Sequence, residues 1–127
     1  MDPVTRRAVA YLAARLITRR PLDGLFDHGE KRPYRYTGST DPQAIEFTDH
    51  ADGHRITGSG DGMSFSIVHR GTAAICTIDL AGDTFKGFEF QCRHHFNGRL
   101  QGAELMLFDA EPAEAFYYRL EDRLADS

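Results

Sequence analysis

Between residues 43 and 111 the chain contains no proline, and short runs of alternating apolar and polar residues are separated by small polar corners. "AIEFTDH", "MSFSIVH", "FEF" and "LMLF" are the runs; "HADG", "GSGDG", "HRG", "AGD" and "FNG" stand between them. Strands this short and turns this tight make neighbours antiparallel, because a parallel crossover needs a long connection. An uninterrupted proline-free stretch is what a meander requires, since proline cannot donate to a ladder.

The runs recur. Segments beginning at Leu25, Phe47, Ser66, Phe88 and Met106 each open on an apolar-rich triplet, pass a polar corner and resume an apolar segment, and "GDGMSFS" echoes "GDTFKGF". The implied unit is a β-hairpin of about 20 residues, and hairpins are stable only when several share an apolar face. On this reading the last copy has become a helix.

Both flanks read as helix. In "MDPVTRRAVAYLAARLITRR", Asp2 suits an N-cap and Pro3 the first turn, while Val9, Leu12, Ala13, Leu16 and Ile17 form a stripe. Pro21 ends it. From Pro112 to Leu124 the spacing of Ala113, Phe116, Leu120 and Leu124 predicts a second helix. The expected fold is therefore α+β: an N-terminal helix, an antiparallel meander of about seven or eight strands forming a curved sheet or incomplete barrel, and a C-terminal helix, all in one domain, 1–127. Residues such as Met106 and Phe108, opposite Leu105 and Leu107, predict a sheet covered on both faces by the two helices.

Net charge is −4, which gives no warrant for a nucleic-acid binder, and no apolar run is long enough to span a bilayer. Charge is segregated: residues 1–35 hold eight Lys/Arg against four Asp/Glu, and residues 101–127 two against seven. Arg6, Arg7, Arg15 and Arg19 lie off the helix stripe, and "KRPYRY" interleaves Arg32 with Tyr34 and Tyr36. These seven are the candidate partner-contacting residues. The hairpin register places Cys76 and Cys92 too far apart along the ladder to bridge, so both read as thiols of a cytoplasmic protein.

His28, His50 and His69 occupy similar corners of successive units, with His54 nearby. Turn chemistry accounts for the Asp and Gly residues beside them. No HExxH or CxxC accompanies them, no GxSxG is present, and "GSGDG" lacks the lysine and helix of a phosphate loop. The reading is a non-enzymatic cytoplasmic protein without a cofactor that binds another protein or itself, as a homodimer. The alternatives are a carrier of a small apolar ligand inside the curved sheet, and a metal-dependent enzyme using His28, His50, His54 or His69.

Overall fold

The computed structural model describes residues 1–122. One helix, α1 (Pro3–Thr18), precedes ten strands: β1 (Gly24–Asp27), β2 (Arg32–Asp41), β3 (Ala44–Asp49), β4 (Arg55–Gly60), β5 (Ser64–His69), β6 (Ile75–Ala81), β7 (Thr84–Glu89), β8 (His94–Gln101), β9 (Glu104–Asp109) and β10 (Glu114–Glu121). Every strand is antiparallel to its sequence neighbours, and β10 pairs with β1, so the meander closes into a barrel.

Three expectations are corrected. The sheet is closed rather than open or incomplete, it has ten strands rather than seven or eight, and residues 114–121 form β10 instead of a C-terminal helix. Residues 123 and 124, the end of that expected helix, lie outside the described residues. The sequence there fits two periods. Phe116 and Leu120 are spaced for a helix, but Tyr118 and Leu120 also alternate inward, and Phe-Tyr-Tyr favours a strand. Closure decides between them, because β1 leaves a bonding edge that only another strand can fill: Leu25 pairs with Leu120 and Phe26 with Arg119.

The hairpin repeat is real in the structure, with five copies. Asp27, Asp49, His69, Glu89 and Asp109 end the odd-numbered strands, separated by 22, 20, 20 and 20 residues. The next residue in each copy (His28, His50, Arg70, Phe90, Ala110) donates its N–H to the preceding strand, onto the carbonyls of Tyr117, Arg35, Arg55, Ile75 and His95. Four residues beyond each strand end, Lys31, Gly53, Ala73, Arg93 and Ala113 take left-handed backbone, with φ of 57°, 75°, 64°, 59° and 54°. The β6–β7 hairpin pairs Cys76 with Glu89 and Thr77 with Phe88. Both cysteines are free.

A barrel of about eight strands is filled by its own side chains; ten strands leave a wider lumen, and α1 occupies it. Every residue from Thr5 to Ala14 is buried, so no face of the helix meets solvent there, and α1 touches β1, β2, β6 and β9 around the barrel. The expectation that this helix covers one face of an open sheet is corrected by this position. The wall turns Ile45, Phe47, Ile56, Phe65, Ile67 and Ile78, among others, toward the helix. Aromatic rings are seated over glycines of the next strand: Phe85 pairs with Gly98 and Phe96 with Gly87, and a Cβ on either glycine would run into the opposing ring.

Candidate functional site

The five strand ends gather at the barrel mouth that receives the start of α1, and in each copy the strand-end side chain closes its own corner. Asp27 Oδ1 accepts from the N–H groups of Gly29 and Glu30 at 2.9 and 3.1 Å, and Asp49 Oδ1 from Ala51 at 2.9 Å. His69 Nδ1 accepts from Gly71 and Thr72, Glu89 Oε2 from Cys92 at 2.7 Å, and Asp109 Oδ1 from Glu111 at 3.2 Å. Asp49, His69, Glu89 and Asp109 are all buried, and burying a polar group is costly unless such donors bond it.

Successive helix residues point about 100° apart, and three of them reach three different corners. Thr5 Oγ1 meets Thr72 Oγ1 at 2.8 Å, Arg6 Nε reaches Asp109 Oδ2 at 3.3 Å, and Arg7 Nε reaches Asp49 Oδ2 at 2.9 Å. The Arg6 guanidinium lies 3.4 Å from the centre of the Phe116 ring and that of Arg7 3.9 Å from Tyr34. Burial works against the charge of Arg7, but its hydrogen bond to Asp49, the charge of that carboxylate and the neighbouring Tyr36 and Tyr34 together outweigh it, so its pKa is raised. Asp109 Oδ2 also lies 3.2 Å from the amino terminus.

Of the residues expected to meet a partner, Arg6, Arg7, Tyr34 and Tyr36 are therefore engaged inside the barrel. Tyr36 stacks on Tyr11, with ring centres 4.3 Å apart, and burial pushes its hydroxyl well above the usual tyrosine range. Arg15, half-buried, bonds the Leu22 carbonyl at 2.9 Å. Arg19 and Arg32 remain exposed.

The four histidines do not converge. His28 Nε2 lies 2.9 Å from Glu104 on β9, and His50 Nε2 lies 2.8 Å from Thr37 on β2. His54 and His69 are neighbours, with ring centres 6.0 Å apart. His69 is also one residue out of step with His28 and His50: it is the counterpart of Asp27 and Asp49, and so points inward. Burial lowers its pKa, and its Nε2 has no hydrogen-bond partner.

A different set comes together. Cys92, His94 and Glu111 place a thiol, an imidazole and a carboxylate within 4.8 Å of one another, on the fourth and fifth corners. His94 Nδ1 lies 2.7 Å from the Cys92 carbonyl. Partial burial raises the Cys92 thiol pKa; Cys76, deep in the wall and facing Glu89, is pushed up to about 12, first by burial and then by that carboxylate's charge. The sequence signal for the first set is C-x-H spanning a corner; Glu111 comes from the next copy, and only the repeat aligns it.

Outside, β6–β10 carry a second feature. Ile75, Phe90 and Tyr117 are 45%, 52% and 54% exposed. Phe88, Met106 and Phe108 are half-buried beside them. Phe88 packs edge-on against Phe90 and against His95, with centres 5.0 and 4.8 Å apart, and Met106 pairs with Tyr117. The expected second helix does not cover this face.

These features define a closed ten-stranded antiparallel barrel threaded by its own N-terminal helix, with an apolar sector on its outer wall. The chain matches no protein family, no curated protein and no solved structure.

Proposed function

We propose that this chain is a non-enzymatic cytoplasmic binding protein that docks another protein, a second copy of itself included, on the outer wall of β6–β10. The observation that carries the reading is the outward row Ile75, Phe88, Phe90, Met106, Phe108 and Tyr117, three of them about half exposed. They form two apolar groups, Ile75, Phe88 and Phe90 on one side and Met106, Phe108 and Tyr117 on the other, with His95, Asn97 and Arg99 of β8 between them; exposed apolar surface among polar groups is characteristic of interaction sites, and aromatic residues and Met are enriched in interface cores. Lys86, Asp79 and Glu104 flank these groups and Arg99 lies between them, so both signs of charge are present, which suits an isologous contact in which each copy offers the other both signs.

Closure of the barrel removes the edge strands that would invite strand pairing, so contact runs through side chains of the wall. The binding reading is preferred to the carrier alternative because α1 occupies the lumen. The free cysteines accord with a reducing compartment.

Sedimentation equilibrium over a wide concentration range tests the proposal, with a pull-down at low salt for other protein partners. The expected result is a dimer, or a retained partner, weakened at least about tenfold when Phe90→Ser is combined with Ile75→Thr, as truncating interface anchors does. A strict monomer with no retained partner, or an association unchanged by that double variant, overturns it.

A further inference from the structure

The corner repeat sets two positions side by side: the residue just before the left-handed one in each corner and the residue just after it. In the second copy these are Asp52 and His54, whose carboxylate and ring lie 3.5 Å apart. In the fourth copy they are Cys92 and His94, and the fifth corner adds Glu111. We propose that Cys92, His94 and Glu111 form a zinc-binding site at the barrel mouth, three protein ligands with a fourth position open to solvent.

The donor set selects the metal class. Thiolate with imidazole suits zinc and other borderline-soft ions, whereas magnesium and calcium take oxygen donors. One thiolate and one carboxylate offset a divalent charge, and Asp109, 3.2 Å from the amino terminus, shares that ammonium with Glu111. The histidine is pre-set for the role: Nδ1–H donates to the Cys92 carbonyl at 2.7 Å, which leaves Nε2 with its lone pair free, the arrangement by which ligating imidazoles are usually held. Cys92 is fixed in turn, since its N–H bonds the buried Glu89 carboxylate at 2.7 Å. Glu111 also accepts from the amino terminus; a carboxylate has two oxygens, so that contact leaves one for the metal. His94 and Glu111 are exposed and Cys92 is half-buried, so an ion has a path in.

The full chain, kept reduced, is titrated with Co²⁺ and then with Zn²⁺. The expected result is a thiolate-to-cobalt charge-transfer band saturating at one ion per chain and erased by Zn²⁺. Cys92→Ser should abolish the band, and His94→Gln and Glu111→Gln should each weaken Zn²⁺ by at least about tenfold, while His50→Gln changes nothing. Matching circular dichroism and melting curves show that the variants fold. In the unmodified protein, stoichiometric Zn²⁺ should slow alkylation of Cys92, against which the buried Cys76 is silent. Absence of the band, a band that survives Cys92→Ser, or an alkylation rate indifferent to Zn²⁺ overturns the site.

Discussion

The wall of the barrel differs around its circumference. On β2–β4 the outward positions include Thr37, Ser39, Glu46, Thr48, Arg55 and Thr57; on β6–β10 they include Ile75, Phe88 and Phe90 and, across His95, Asn97 and Arg99 of β8, Met106, Phe108 and Tyr117. Inside, the two sectors are alike. Ile45, Phe47 and Ile56 on one side and Ile78, Phe96 and Leu107 on the other press on α1 with almost no exposure. Folding demands only the inner set, which the helix meets on all sides. The outer set is free to vary, so an apolar outer row on one sector is information about contacts beyond the chain.

The comparison breaks first on the inside. Phe47→Ala and Phe96→Ala should each cost about 3–5 kcal/mol in chemical denaturation, one per sector, because each leaves a cavity against helix or wall. A cost confined to one sector would show that the inner faces are not equivalent. Asp49→Ala should cost up to about 3–5 kcal/mol, since it takes the 2.9 Å partner from the buried Arg7 guanidinium and leaves only Asp52 at 3.6 Å; the double variant with Arg7→Met should recover much of it.

The corners sharpen the contrast. His69 replaces the paired carboxylate of the β3 corner with a ring that burial holds neutral. Its folded pKa lies below the usual 6.5, so the unfolded chain takes up the proton first, and stability is full above pH of about 6.5 and falls as pH drops through that value toward the lower folded pKa. His69→Asn retains an acceptor for the Gly71 and Thr72 N–H groups and should flatten that part of the pH–stability curve, measured by denaturation from pH 7 to pH 5.

Smaller effects follow at the left-handed positions. Ala73→Gly should gain up to about 1 kcal/mol, and Gly53→Ala should lose a similar amount, because only glycine accepts φ near +60° without strain. Least of all, Thr48→Ser on the polar sector and Phe90→Ser on the apolar one should each move stability by no more than about 0.5 kcal/mol, while Phe90→Ser alone alters association in sedimentation. Equal effects of the two on association would erase the distinction between sectors.

Much of the wall was legible from residues. Asp-Gly corners and runs such as "SFSIVH" specify antiparallel hairpins, and Asp2-Pro3 marks the helix start, where Asp2 does accept from the Val4 N–H at 2.9 Å. Closure was not legible, because it rests on β1, only "GLFD", meeting β10, whose apolar residues suit helix and strand alike. The "FNG" that resembles a turn sits within β8, its glycine making room for Phe85. Arg6 and Arg7 resemble a solvated face because charge at helical spacing usually is one; their burial depends on carboxylates 103 and 42 positions away. The separation of Cys76 and Cys92 was legible, but that Cys76 stands opposite Glu89 depends on a register in which a slip of one residue changes every partner. For the candidate metal ligands, Cys92 and His94 are two positions apart in the sequence, but Glu111 joins them only because the next corner lies beside theirs.

The bond between β10 and β1 also dictates a timetable. As the polypeptide emerges during synthesis, α1 comes first and has nothing to lean on; each hairpin that follows adds one stave around it, and the cask stays open until the final stave meets the first. Assembly thus waits on the most distant pairing in the sequence, which slows it, and for that interval the aromatic lining is uncovered. A nascent chain stalled before Glu114 should be correspondingly sticky, with its helix held in a half-built shell.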